Sequence, residues 1–158
     1  MATTIYTIGH SNMGAEALNA LLRQHAVSLL VDVRSAPYSR LWPQFNQATL
    51  RDSLGGAGIE YLFLGRELGG RPDDDRLRNP NGTPNYDAMA RTPLYLQGLA
   101  QLIEVAASRP TAILCSESDP HHCHRYKLVT PTLEARGIQV QHILSDGSLL
   151  QEAQGKLF

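Results

Sequence analysis

At 158 residues, with 42% hydrophobic and 18% charged side chains and a formal net charge of −1, the chain has the size and composition of one soluble domain that buries about two-thirds of its unfolded surface. No apolar run approaches the roughly 20 residues of a membrane span, so no membrane partner is expected. The near-neutral balance gives no broad attraction to nucleic acid, which it does not by itself exclude, so anion recognition has to be local.

The start, Met1-Ala2-Thr3-Thr4, runs straight into a strand-like segment without a basic or apolar leader, so a cytoplasmic location is expected. The two cysteines, eight positions apart, would pair in an oxidising compartment; in the cytoplasm they are expected as reduced thiols. Ile5 to Ile8 is β-favouring and closed by Gly9; the turn His10-Ser11-Asn12 follows, with Ser11 or Asn12 placed to cap a helix carrying Ala15, Leu18, Leu21 and Leu22 on one face. Val27 to Val33 is almost continuously apolar, as in a strand covered on both sides, and ends on Asp32 and Arg34. An irregular loop with Pro37 and Pro43 leads to a helix that Asn46 can cap, with Leu50 and Leu54 inward and glycines from Gly55 at its end. Ile59 to Leu64 reads as a third strand. The segment 65–85 is rich in Gly, Pro, Asn and Asp and poor in core formers, the character of a lid.

Tyr86 to Ala107 reads as a helix interrupted near Pro93, Thr111 to Cys115 as a fourth strand, and Tyr126 to Ala135 as an amphipathic helix stopped by Gly137. Ile138 to Leu144 is a fifth strand, and Ser148 to Phe158 reads as a short helix. Strands alternating with helices predict a single α/β domain spanning 1–158. Its predominantly parallel, Rossmann-like or rhodanese-like sheet would have about five strands and helices on both faces. Ligands of such sheets bind beyond the carboxyl ends of the strands, a rule that collects His10, Ser11, Asp32, Arg34, Cys115 and Glu117 at one rim.

The stretch from Cys115 to Arg125 concentrates the chemistry. It holds both cysteines, Glu117, Asp119, His121, His122, His124 and Arg125 between a strand and a helix. Cys115 reads either as a small buried hydrophobe or as a reactive thiol, and Cys123, near a helix start, is the more reactive candidate. Glu117 and Asp32 can work as acid and base, the alternative being that Asp32 pairs with Arg34 or caps a loop. Arg34, Arg40, Arg71 and Arg125, with Ser11, Ser39 and His124, are the candidate anion ligands; each arginine has ordinary solvated charge as its alternative. Imidazole and thiol donors at 115–124 suit zinc or iron, but adjacent histidines do not readily converge on one ion and the spacing fits no finger, so no metal ligands are assigned. His10 and His142 face either core or ligand, and Tyr38, Trp42 and Phe45 read as packing. Gly9-His10-Ser11 lacks the dinucleotide glycine fingerprint. The sequence therefore names no cofactor, and it sets no oligomeric state.

Several separated blocks carry a resemblance: Thr7-Ile8-Gly9-His10-Ser11, Val31-Asp32-Val33-Arg34 with Pro37 and Ser39-Arg40, Leu68-Gly69-Gly70, Leu114-Cys115 with Glu117, Cys123-His124-Arg125, and His142-Ile143. In this order they resemble the bacterial domain-of-unknown-function family 488, a resemblance that implies no activity. A more distant similarity is to rhodanese-like domains, which share a strand ending in Asp-Val-Arg and a later strand delivering a cysteine. In those domains a short amide-lined loop joins that cysteine to an arginine. Here Arg125 lies ten positions beyond Cys115 and two beyond Cys123, so sulfur or phosphoryl transfer through cysteine is implied only by analogy.

The expectation is an enzyme acting by group transfer or hydrolysis on a small anionic, phosphate- or nucleotide-like ligand. Catalysis falls to Glu117, Cys123, Cys115, Asp32 and His10, with segment 65–85 closing over the site. The alternative is a non-catalytic module that senses a ligand, a metal or a nucleic-acid end.

Overall fold

The computed structural model of the chain describes residues 3–150. Its elements follow the alternation of apolar strands and amphipathic helices. In chain order they are β1 (Thr4–Gly9), α1 (Ala15–Gln24), β2 (Leu29–Asp32), α2 (Gln47–Gly56), β3 (Glu60–Phe63), α3 (Gly65–Leu68), α4 (Tyr86–Met89), α5 (Pro93–Ser108), β4 (Thr111–Cys115), α6 (Thr130–Glu134) and β5 (Gln139–His142). The five strands form one sheet, all parallel, in the order β3-β2-β4-β1-β5. β2 and β4 are buried along their whole length, whereas the edge strands β3 and β5 open on exposed Glu60 and Gln139.

The two-residue period of a strand divides the core. Ile8, Leu30, Ala112 and Leu114 meet Leu18 and Leu22 of α1 and Leu50 and Leu54 of α2 on one face. Ile5, Leu29, Val31, Ile113 and Cys115 meet Leu99 and Leu102 of α5 and Leu133 of α6 on the other. The chain leaves β2 towards β3 over the first face and leaves β4 towards β5 over the second. Neighbouring strands therefore send their continuations in opposite directions, and a crevice opens at their carboxyl ends.

Local chemistry departs from the sequence reading in several places. Neither Ser11 nor Asn12 caps α1: the backbone turns through a positive φ at Ser11, and Gly14 occupies the cap position without a side-chain bond. Asn46 precedes α2 but spends its side-chain oxygen on the Ser39 N–H. Segment 65–85 is more ordered than its composition suggests, with α3, a 3-10 turn at Asp75–Leu77 capped by Asp74, and an antiparallel bridge between Arg78 and Pro84. The helix expected from Tyr126 begins as a π-helical turn at Arg125–Val129 and continues as α6. Pro131 has no N–H for the carbonyl four residues back, and the Thr130 N–H reaches the Arg125 carbonyl instead, widening the turn. Of the expected tail helix, Leu149 instead bridges Ile143, and 151–158 lie outside the described residues.

Candidate functional site

A cavity of about 590 Å³ opens beyond the carboxyl ends of β2 and β4. Three stretches wall it. The first, leaving β2, contributes Arg34, Ser35, Tyr38 and Ser39; the second contributes Gly70, Arg71, Arg78 and Tyr86; the third, leaving β4, contributes Cys115, Ser116, Glu117, His122, Cys123 and His124.

Backbone approaches that only glycine permits hold these stretches together. A Cβ on Gly9 would run into the Glu117 carbonyl. Its absence lets residues 115–117 pack on the end of β1, with the His10 and Ser11 N–H groups donating to the Cys115 and Ser116 carbonyls at 3.1 and 2.9 Å. A Cβ on Gly70 would sit 2.7 Å from the His124 ring, and the Arg71 N–H donates to Ser35 Oγ at 3.0 Å. Segment 65–85 is thereby tied to both other walls.

Asp32 and Arg34 form a buried bidentate pair. Arg34 Nε donates to Asp32 Oδ1 at 2.9 Å and Nη2 to Oδ2 at 2.8 Å. The Arg34 N–H and the Tyr61 hydroxyl take the remaining acceptor positions at 3.1 and 2.7 Å. Burial, and then the Asp32 charge, push the Tyr61 hydroxyl far above its ordinary range, so it remains a donor. Asp32 is thus fully engaged and outside the cavity wall, while Arg34 Nη1 makes no hydrogen bond among the described residues and remains the open edge of a cavity-lining guanidinium.

The sulfur atoms of Cys115 and Cys123 meet, their Cα atoms 7.2 Å apart, so the structure pairs thiols that the sequence reading kept separate and reduced. Cys123 Sγ accepts the Arg125 N–H at 3.5 Å and lies 3.8 Å from His124 Nδ1, while Cys115 Sγ lies 3.9 Å from the Glu117 carbonyl. His124 Nε2 is 2.9 Å from the Val33 carbonyl. A carbonyl can only accept, so a neutral His124 ring carries its proton on Nε2; its unprotonated Nδ1 faces the Cys123 sulfur and can accept from it only as a reduced thiol. Burial brings the His124 pKa down to about 4, against the upward pull of the Val33 carbonyl.

Two cavity-lining charges are uncommitted. The Arg71 guanidinium and the Glu117 carboxylate are exposed and form no side-chain hydrogen bond or ion pair among the described residues. The Ser39 hydroxyl lines the cavity but accepts the Leu41 and Trp42 N–H groups at 3.1 and 3.2 Å.

Other expected site residues lie elsewhere. His10 and Ser11 are at the same rim but outside the cavity; His10 stacks on Phe45 at 4.5 Å, donates from Nδ1 to the Ser11 carbonyl at 2.7 Å, and has its pKa lowered by burial. Arg40 is exposed and does not line the cavity. Arg125 is completely buried beneath the wall, its guanidinium donating to Thr7 Oγ1 and to the Glu117 and Ser118 carbonyls. Arg78 and Tyr86 were not singled out by sequence reasoning, and Tyr38, read there as packing, is 70% exposed at the mouth. The usable signal for Arg78 was its place in the breaker-rich segment, which it closes by donating to the Gly82 and Pro72 carbonyls at 2.9 Å each. Among the described residues no three His, Cys, Asp or Glu side chains converge to hold a metal ion, and no helix is long and apolar enough to cross a membrane.

Compared with known families, the chain matches the Domain of unknown function DUF488 over residues 14–130. No curated protein matches the chain.

Proposed function

From the premise that this chain belongs to the DUF488 family, whose description carries no activity, we propose that the protein is an enzyme binding a small phosphate- or nucleotide-like anion in the cavity beyond β2 and β4. The observation that carries this reading is the convergence of Arg34, Arg71 and Arg78 on one cavity with Glu117 as the only carboxylate among its lining residues. That excess of positive charge favours an anion. Arg71, with no competing partner, and the open edge of Arg34 hold it, and Asp32 acts by fixing Arg34 in place. Tyr38 and Tyr86 offer flat apolar surface at the mouth for a base or similar ring.

In this reading, reduced Cys123 attacks the bound group while the Glu117 carboxylate takes the thiol proton and passes it to the leaving oxygen, and an acceptor or water then displaces the sulfur to complete transfer or hydrolysis. His124, with its pKa near 4, is a weak base and orients the sulfur. A second reading, a binding module without turnover, is favoured by the paired sulfurs, since neither cysteine is then a free nucleophile.

Calorimetric titration with a nucleoside monophosphate, followed by turnover assays over phosphate esters under reducing conditions, tests both readings. Arg71→Ala is expected to weaken binding at least about tenfold, the loss of one charge-assisted contact. Glu117→Gln is expected to keep affinity and lose turnover. Unchanged binding in Arg71→Ala sinks the anion reading, and binding without turnover in the parent protein selects the module.

A further inference from the structure

Arg125 heads the fully buried side chains by volume. Among the described residues no carboxylate approaches it within ion-pair distance; its partners are Thr7 Oγ1 at 3.3 Å and the Glu117 and Ser118 carbonyls at 3.2 and 3.0 Å, and its Nε has none. Burial lowers its pKa, but only to about 10, so the guanidinium is charged at neutral pH. The Asp119 and Glu117 carboxylates act on it from beyond ion-pair distance and raise its pKa, so the buried charge is only partly offset and favours a further anion formed in contact with its partners. The titratable groups that share its backbone and guanidinium contacts are the two cysteines. Cys123 Sγ accepts the Arg125 N–H, and Cys115 Sγ shares the Glu117 carbonyl with the Arg125 guanidinium.

We propose that Cys115 and Cys123 form a reversible dithiol–disulfide couple that exchanges electrons with small-molecule disulfides entering the cavity. Cys123 is the attacking thiolate and Cys115 the resolving thiol. Their surroundings assign the roles. Cys123 sulfur faces a backbone donor, which stabilises a thiolate, and the unprotonated His124 Nδ1, which can take the thiol proton, whereas the polar neighbour of Cys115 is a carbonyl, which stabilises a protonated thiol; Cys123 is also the more exposed, at 6% against 2%.

The exchange proceeds in two displacements. The Cys123 thiolate attacks one sulfur of RSSR, forming Cys123–S–S–R and releasing RS⁻. Cys115, on losing its proton, attacks the Cys123 sulfur, forming the Cys115–Cys123 bond and releasing a second RS⁻. The protons given up by the two cysteines go to the two released thiolates. The protein is oxidised by two electrons and RSSR is reduced to two RSH. A reduced dithiol runs the sequence in reverse. This inference uses the same cavity as the anion reading but does not depend on it.

The full chain is equilibrated in graded ratios of reduced to oxidised glutathione, its free thiols are alkylated, and the products are weighed by mass spectrometry. Both thiols are expected to disappear together in one two-electron transition. Cys115→Ser is expected to trap glutathione on Cys123, and Cys123→Ser to react at least about tenfold more slowly than Cys115→Ser. Alkylation of Cys123 is expected to reach half its maximal rate below the roughly pH 8.5 of an ordinary thiol. Two thiols that stay free at every ratio overturn the proposal in the parent protein alone, whatever the folding of the variants. Faster trapping by Cys115 in Cys123→Ser overturns the assignment of roles.

Discussion

Asp32 and Arg34 stand two residues apart at the end of a buried strand, a spacing that puts both side chains on the same side and lets the carboxylate meet the guanidinium edge-on. That pairing was one of two readings open to Asp32 in the sequence, and the bidentate contact selects it. Asp32→Asn removes the charge facing a guanidinium that is only 5% exposed and disturbs the Tyr61 contact. Breaking a buried pair from one side costs about 3–5 kcal/mol. Urea unfolding is expected to show a loss of that order, and a loss below about 1 kcal/mol would mean that solvent reaches Arg34 readily and that the pair does not set its position. Arg125 teaches the opposite lesson. The sequence reading makes Arg125 an anion ligand or else a solvated charge, and nothing in its neighbours' identities reveals that Gly9 lets the Glu117 backbone fold over it.

The segment that departs most from its expected form is the one the site uses. The π-helical turn at Arg125–Val129, forced by Thr130 and Pro131, follows directly on His124, whose ring ties this segment to the end of β2 through the Val33 carbonyl. A pH dependence follows. Buried His124 protonates near 4 in the folded chain and at the ordinary 6.5 in the unfolded one. Between these values the unfolded chain binds a proton that the folded chain refuses, so the contribution is complete above about pH 6.5, is lost as pH falls towards 4, and is flat below that. Its size is roughly 3–4 kcal/mol, one pKa unit being about 1.4 kcal/mol. His10, also lowered by burial, acts in the same direction. Denaturation midpoints measured from pH 7 to pH 4 are expected to fall steadily, with a shallower fall in His124→Gln; midpoints that hold or rise over this window contradict the account.

At the scale of the whole molecule, the alternation of apolar runs with amphipathic helices was enough to read a parallel α/β sheet with helices on both faces. The central strands β2 and β4 bury continuous runs that only a two-sided sheet can cover. The rule that strand ends bring distant positions to one rim collected His10, Ser11, Asp32, Arg34, Cys115 and Glu117, and of these Arg34, Cys115 and Glu117 line the cavity. Which arginines would reach the cavity was not legible. Arg71 and Arg78 depend on how segment 65–85 folds back, through Gly69, Gly70 and the Arg78 bonds to its own carbonyls, and breaker-rich composition specifies a turn without specifying its destination.

If the cavity walled by three distant stretches receives a small anion, as proposed, backbone amide shifts recorded during titration with a nucleoside monophosphate will report it. Saturable changes are expected, concentrated in residues 34–39, 70–86 and 115–124. Changes that are absent, or that gather at the amino ends of the strands, would contradict the proposal.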